Sequence, residues 1–163
     1  MNQKQVFTEL YESYSPGILK LCMGYTGDRN QAEDLLQEVF FSVWNNMQKF
    51  RQDAAWSTWI YRIAVNTCLT YLRKKKLITV DLDADFLGAM PEEKSAKEQE
   101  IQLLYTCISK LAEADRLIIG MVLDDKPYDE IATILGLTVN NLRVKIHRIK
   151  KQLTEIYNSY ARL

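Results

Sequence analysis

The sequence predicts an all-α protein, with an N-terminal helical bundle and a C-terminal helix-turn-helix unit joined by an acidic linker. Three observations carry this expectation. Apolar residues recur at three- and four-residue spacing through most of the chain, and nowhere alternate over a useful length. Only 6 Gly and 3 Pro punctuate 163 residues, which suits helices better than the many turns of a β-fold. The periodicity fails over residues 79–96, where Asp81, Asp83, Asp85, Glu92 and Glu93 surround Gly88 and Pro91.

The elements follow in order. Over residues 2–24, Val6, Phe7, Leu10 and Tyr14 share one side of a helix. Ser15-Pro16-Gly17 is expected to interrupt it before Ile18, Leu21 and Cys22 resume. Residues 29–48 give the clearest helix. Ala32, Leu35, Leu36, Val39, Phe40, Val43, Trp44 and Met47 form an unbroken stripe, with Asp28 as the cap. A third helix is expected over about residues 54–76, burying Trp56, Trp59, Ile60, Ile63, Ala64, Thr67, Cys68 and Leu72. Both tryptophans are read as core rather than as stacking platforms. Periodicity returns at Ile101, Leu104, Tyr105, Ile108 and Leu111, and again at Leu117, Ile118, Met121 and Val122. Two short elements follow, Tyr128–Leu135 and 139–157. The chain divides into residues 1–78, a linker over 79–96, and 97–163. The linker has two readings: a solvated tether, or a mimic of nucleic acid lying in a partner's basic channel. The two modules are expected to make few contacts when free.

Charge narrows the function. The chain is formally neutral, with 21 cationic and 21 acidic side chains. Yet residues 51–78 carry a net +5 and residues 140–163 another +5, offset by a net −5 over residues 79–100. Phosphate meets local charge, so two compact basic segments outweigh the neutral total. No apolar run approaches the roughly 20 residues of a membrane span, and no basic-then-apolar leader opens the chain. A cytoplasmic protein with no membrane insertion of its own is expected. Cys22, Cys68 and Cys107 are odd in number and widely spaced, so reduced, buried thiols are expected rather than a disulfide framework or zinc site. Neither metal nor cofactor is expected.

Residues 128–146 read YDEIATILGLTVNNLRVKI. Ala132 is small where two helices must cross, Gly136 supplies a positive-φ turn, Thr138 caps the next helix and Leu142 packs back. These offsets match a helix-turn-helix. Its second helix has an apolar face of Leu142, Ile146, Ile149, Leu153 and Ile156. The opposite face carries Asn140, Arg143, Val144, His147, Arg148 and Lys151, with no acid before Glu155. A solvated face normally mixes both signs; a one-signed face with amides near its start suits a major groove. Val144 has two readings, a contact with a thymine methyl or a plain surface valine. His147 lacks a second histidine, a nearby cysteine or a partner acid, which argues against catalysis or metal binding; its two readings are a DNA contact, which is preferred, and an inert surface residue.

The bundle carries two faces beyond its core. Asp34, Gln37, Glu38 and Phe41 fall at i, i+3, i+4, i+7, an acidic patch ending in an outward aromatic. No nucleophile, second base or metal ligand accompanies the carboxylates, which argues against hydrolysis; the patch reads either as a solvated face or, better given the exposed aromatic beside the acids, as a protein docking site. Arg62, Asn66, Thr70 and Arg73 line up on the third helix, extended by Lys74, Lys75 and Lys76. Lys49, Phe50 and Arg51 precede them in a loop, and cations interleaved with aromatics suit unpaired bases.

The segments GDRNQAEDLLQEVF, FRQDAAWSTWIYRIAVNTCLTYLRKK and YDEIATILGLTVNNLRVKIHRIKKQL, in this order, resemble bacterial RNA polymerase sigma factors of the extracytoplasmic-function (ECF) type. The resemblance implies sigma region 2 over residues 1–78 and region 4 over 97–163. It implies a factor that binds core polymerase, reads the minus-ten and minus-thirty-five promoter elements, and promotes melting. Asp34, Gln37 and Glu38 would dock on the largest-subunit clamp coiled coil, with Phe41 beside them. Region 4 would meet the polymerase flap. Loop residues 49–55 match the loop that captures a flipped minus-ten base, and Asn66 matches the start of the minus-ten surface with Arg62 and Arg73 nearby. Arg143, Val144, His147 and Arg148 match major-groove positions at the minus-thirty-five element. Thr138 and Asn140 match backbone contacts, and Asn141 and Lys151 are grouped with them. Promoter DNA and an anti-sigma factor are implied partners; no covalent chemistry by this chain is implied. Val144-Lys145 replaces a commoner small-then-Arg pair, and Ala55-Trp56 stands where a small polar residue and Phe are frequent. Base preference is therefore not carried over. An ordinary helix-turn-helix regulator is the competing reading, and it leaves the Asp34/Gln37/Glu38 face unexplained. An all-helical enzyme has less support, since His147 lacks partners and no phosphate-cradling glycine loop exists.

Overall fold

The computed structural model describes residues 1–78 and 95–162. Among them are seven α-helices, α1 (Gln3–Thr26), α2 (Arg29–Asn46), α3 (Trp56–Ile78), α4 (Ala96–Ser109), α5 (Glu113–Leu123), α6 (Tyr128–Leu135) and α7 (Val139–Ala161). A single 3₁₀ turn, Met47–Lys49, closes α2. No strand occurs among the described residues. The acidic linker expected over 79–96 lies outside the described residues except at its end: Ser95 already caps α4, reciprocally with Glu98, and Ala96 is helical.

The caps were written locally. The Asp28 carboxylate accepts from the Gln31 N–H and the Thr138 hydroxyl accepts from the Asn141 N–H, each satisfying an orphan donor of a first turn. Gly136 ends α6 at φ 68°, ψ 32°, in the left-handed region. A Cβ there would meet nothing within 4 Å, so its cost is conformational alone. Gly136→Ala is expected to lower the unfolding free energy by about 1 kcal/mol, and Gly136→Asn by less, since Asn tolerates that region. Urea midpoints of the three proteins check this.

One expectation fails in α1, which runs through Pro16 without a break. Proline removes one helical hydrogen bond and strains the preceding turn, a cost of about 3 kcal/mol. Ile18 and Leu21, on the far side of Pro16, are fully buried, and Leu10 before it is buried as well. Each such side chain contributes roughly 1.5–3 kcal/mol, so packing on both sides outweighs the local defect.

The stripe of α2 buries as expected in Ala32, Leu35, Leu36, Val39, Phe40 and Val43, while Trp44 turns partly outward. It meets α1 through edge-on rings: Phe7 against Trp44 at 5.2 Å and Tyr11 against Phe40 at 4.8 Å. Cys22, Cys68 and Cys107 are buried free thiols. A hydrogen bond with Cys22, followed by burial, holds the Cys68 thiol far above the ordinary cysteine range and suppresses the reactive thiolate.

The two modules do not stand apart. A continuous apolar cluster runs from α1, α2 and α3 into α5, α6 and α7. Helix α1 packs on α4 and α5, and α3 packs on α6. This overturns the expectation of few contacts. Besides the packing of α1, α3 buries two residues beside the expected stripe of Ile60, Ala64 and Cys68: Val65, and Tyr61, which meets Asp124 and Lys126 of the C-terminal module. Gly120 of α5 lets Leu21 come close; a Cβ on Gly120 would lie 3.1 Å from the Leu21 Cδ1.

Candidate nucleic-acid and protein interface

Three exposed faces emerge. On α2, Asp34, Gln37, Glu38 and Phe41 are all exposed, and Phe41 shows 69% of its surface to solvent. It is the most exposed large apolar side chain of α2. Burial, then the charges of Asp28, Asp34 and Glu38, pushes the Tyr71 phenol above its ordinary value, so the negative field of this face reaches into α3.

On α3, Arg62, Asn66, Thr70 and Arg73 are exposed together, as the i, i+4, i+8, i+11 spacing requires. The α2 and α3 faces share one groove of about 510 Å³. Glu38 and Phe41 form one wall, and Asn66, Thr70 and Lys74 the other. The sequence placed these residues on separate helices; the fold makes them neighbours.

The loop before α3 is held by its aromatics. Phe50 stacks on Trp56 at 3.8 Å between ring centroids with planes 22° apart, and Trp59 closes the cluster at 5.3 Å from Phe50. Trp56 and Trp59 are half-buried rather than fully core, because they serve the loop as well as the bundle. Phe50 thus shapes the loop with its own ring half-buried, while Lys49 and Arg51 remain exposed. Gln52, at φ 58°, holds a left-handed conformation that non-glycine residues adopt only under constraint. Such residues concentrate where surrounding structure fixes a functional loop.

On α7, Leu142, Ile146 and Ile149 are buried, and Leu153 and Ile156 half-buried, which fixes the helix rotation. Asn140, Asn141, Arg143, Val144, His147, Arg148 and Lys151 consequently face solvent, with Val144 70% exposed. Thr138 is exposed and already spends its hydroxyl on the cap. No side chain of Arg143, His147, Arg148 or Lys151 shares a hydrogen bond or ion pair with another described residue. The groove-reading set predicted from sequence therefore lies on one free face. Among the described residues no group of His, Cys, Asp and Glu is placed to hold a metal ion, and no helix is long and apolar enough to cross a membrane.

Sequence reasoning missed one cluster, where α3 meets α5 and α6. The Tyr61 hydroxyl donates to the Asp124 Oδ2 at 2.8 Å, and the Lys126 ammonium lies 3.7 Å above the Tyr61 ring. Lys126 also donates to the Ser57 Oγ at 3.0 Å and pairs with Glu130 at 3.2 Å, while the Ser57 hydroxyl donates to Glu130. The Arg62 guanidinium donates to the Thr133 carbonyl at 3.1 Å. The available signals were Tyr61 and Val65, four apart beside the main stripe of α3, and Gly120 inside an apolar run.

A helical bundle with an acidic-aromatic face and a basic face, followed by a helix-turn-helix, has the make-up of a two-part DNA-binding factor. Residues 10–78 match the model of Sigma-70 region 2 and residues 101–153 that of Sigma-70 region 4. The chain is 31% identical to the ECF RNA polymerase sigma-E factor of Escherichia coli, over 92% of this chain and 85% of the relative. It is 28% identical to the ECF RNA polymerase sigma factor SigW of Bacillus subtilis, over 94% and 91%. The chain belongs to the ECF family of RNA polymerase sigma factors, which are transcription regulators rather than enzymes. Its fold is similar to that of CnrH, solved in complex with the cytosolic domain of CnrY, with a TM-score of 0.73, 18% identity, and coverage of 96% of this chain and 90% of that one. It is also similar to the sigma factor RpoE of Bartonella quintana, solved with the anti-sigma factor NepR, with a TM-score of 0.77, 18% identity, and coverage of 94% and 98%.

Proposed function

We propose that this chain is a dissociable initiation factor of the bacterial cytoplasm that gives core RNA polymerase its choice of promoter. The observation that carries this reading is the co-existence, in one chain, of an exposed acidic-aromatic face on α2 and two exposed basic faces on α3 and α7. A DNA-binding regulator working alone needs only the last. In the proposed division of labour, Asp34, Gln37, Glu38 and Phe41 dock on the clamp coiled coil of the largest subunit, and the C-terminal module meets the flap. Lys49, Phe50, Arg51, Arg62, Asn66 and Arg73 serve the minus-ten element. The loop shaped by Phe50 and Gln52 traps an unstacked base, offsetting an unstacking cost of roughly a few kcal/mol. Arg143, Val144, His147 and Arg148 enter the major groove at the minus-thirty-five element, with Thr138, Asn140, Asn141 and Lys151 on or near the backbone. The chain performs no covalent chemistry; the polymerase does. Held apart by the polymerase, two weak DNA contacts become effectively intramolecular and add. An anti-sigma partner covering the polymerase-facing surfaces would switch the factor off; the similar RpoE of Bartonella quintana is solved in complex with such a factor, NepR.

Asn66→Ala tests the assignment at its centre. Core polymerase pull-down should be retained while permanganate reactivity of minus-ten thymines is lost. Simultaneous loss of both would remove Asn66 from the melting role.

A further inference from the structure

We infer that Val144 reads the C5 methyl group of a thymine in the major groove, so that the minus-thirty-five element of this chain holds a T·A pair chosen by an apolar contact. The inference rests on the promoter reading above and gives one base of its specificity.

A single exposed valine is ordinary on a protein surface. What sets Val144 apart is its address. It is 70% exposed, more than any other large apolar side chain among the described residues except the first residue, Met1. The buried Leu142, Ile146 and Ile149 fix the rotation of α7. At about 3.6 residues per turn, Val144 lies almost opposite the centre of that stripe. Asn140 lies one turn before it, and His147 and Arg148 one turn after, all exposed. Val144 is thus at the centre of the outward face. Asn140, Asn141, Arg143, His147, Arg148 and Lys151 each offer that face a hydrogen-bonding side chain; Val144 offers only methyl groups.

Chemistry restricts what such a side chain can face. A helix about 10–12 Å across enters a major groove about 12 Å wide, and its early turns meet base edges. Val144 lies about 7.5 Å along the axis from Val139, the first residue of α7. In this groove guanine presents N7 and O6, adenine N7 and N6, and cytosine N4, all hydrogen-bonding groups. A side chain with neither donor nor acceptor covers such a group and strips its water without replacing the hydrogen bond, which is a net loss. Thymine alone adds an apolar group, the C5 methyl. Valine against that methyl buries apolar surface on both sides. Branching at Cβ leaves valine one strongly preferred rotamer in a helix, so the contact costs little side-chain freedom.

Charge supplies the approach. From Val139 to Thr154, α7 carries no acidic residue, and the Arg143, His147, Arg148 and Lys151 side chains share no hydrogen bond or ion pair with another described residue. Phosphate contacts from this rim fix the register of the helix, and the central valine is then held against base edges.

The test uses the full chain assembled with core RNA polymerase. The probes are labelled duplexes carrying the motif shared by templates that run-off transcription selects from a library. Thymine is replaced by uracil, which lacks only the methyl, at one position at a time on either strand. One position should lose about fourfold in affinity, the equivalent of about 0.8 kcal/mol for one buried carbon group. In Val144→Ser, thymine and uracil at that position should bind alike. Ser has nearly the helix propensity of Val, so the circular-dichroism signal and thermal midpoint should barely move. With cytosine placed there, methylation of its C5 should raise affinity about fourfold for the wild type and leave the variant unchanged. Absence of any uracil-sensitive position, or sensitivity that persists in Val144→Ser, would overturn the inference while the promoter reading stands. Equal affinity of the wild-type assembly for selected and scrambled duplexes would remove the promoter reading and the inference with it.

Discussion

Reversing the charge of the α2 face, with Asp34→Lys and Glu38→Lys together, is expected to abolish transcription supported by this chain while leaving its fold intact. Both side chains are exposed, and neither forms a hydrogen bond or ion pair with another described residue. Exposed substitutions of this kind usually change stability by no more than about 0.5 kcal/mol, so the thermal midpoint should barely move. The partner cost is much larger. Breaking one hydrogen-bonded charge pair buried at an interface costs about 2–5 kcal/mol, and two like-charge juxtapositions exceed a single loss. A total above about 3 kcal/mol lowers affinity for core polymerase by more than about 100-fold. Phe41→Ala should weaken the same binding through loss of an aromatic anchor. Size-exclusion co-elution with core polymerase and a thermal melt separate these outcomes. Retained co-elution by the charge-reversed chain would take the docking role away from α2.

The second large effect belongs to α7. Arg143→Ala and Arg148→Ala should each cost about 1–3 kcal/mol in binding to the minus-thirty-five duplex if the guanidinium reads a base edge, and should relax sequence preference at one position. Lys151→Ala should act differently, weakening all duplexes alike and reducing the slope of log affinity against log salt by about 1. The distinction follows from position. Arg143, His147 and Arg148 lie on the first half of the outward face, fixed by the burial of Leu142, Ile146 and Ile149, and Lys151 lies one turn further on. Fluorescence anisotropy at several salt concentrations, on matched and mismatched duplexes, reads both quantities. Equal salt-slope changes for all three variants would reduce α7 to a phosphate-binding helix.

What the sequence made legible depended on how many faces each helix buries. Helices α2 and α7 each bury one stripe against one neighbourhood, so the periodicity of Ala32 to Val43 and of Leu142 to Ile149 disclosed their rotation, and with it the exposed faces. The short α6 was legible to the residue because Gly136 and Thr138 punctuate it chemically. Helix α3 buries residues both inside its own module and against α6 and the turn that precedes it, and a single-stripe reading caught only the first. Tyr61 therefore looked like an incidental aromatic until the fold set Asp124 and Lys126 beside it. Pro16 misled for a related reason: its local cost is real, and only tertiary burial of Ile18 and Leu21 overrides it. Phe50 was legible as a loop aromatic, but its partner was not, because stacking on Trp56 depends on the Gln52 backbone turn between them.

Formal neutrality of the whole chain limits non-specific attraction to phosphate and confines its cationic reach to the two local basic segments.

The most direct measurement is run-off transcription by purified core RNA polymerase on a promoter library, with and without this chain. Discrete transcripts that appear only when the chain is added, from templates sharing two separate sequence motifs, are the predicted result. Identical transcript populations in both reactions would contradict it.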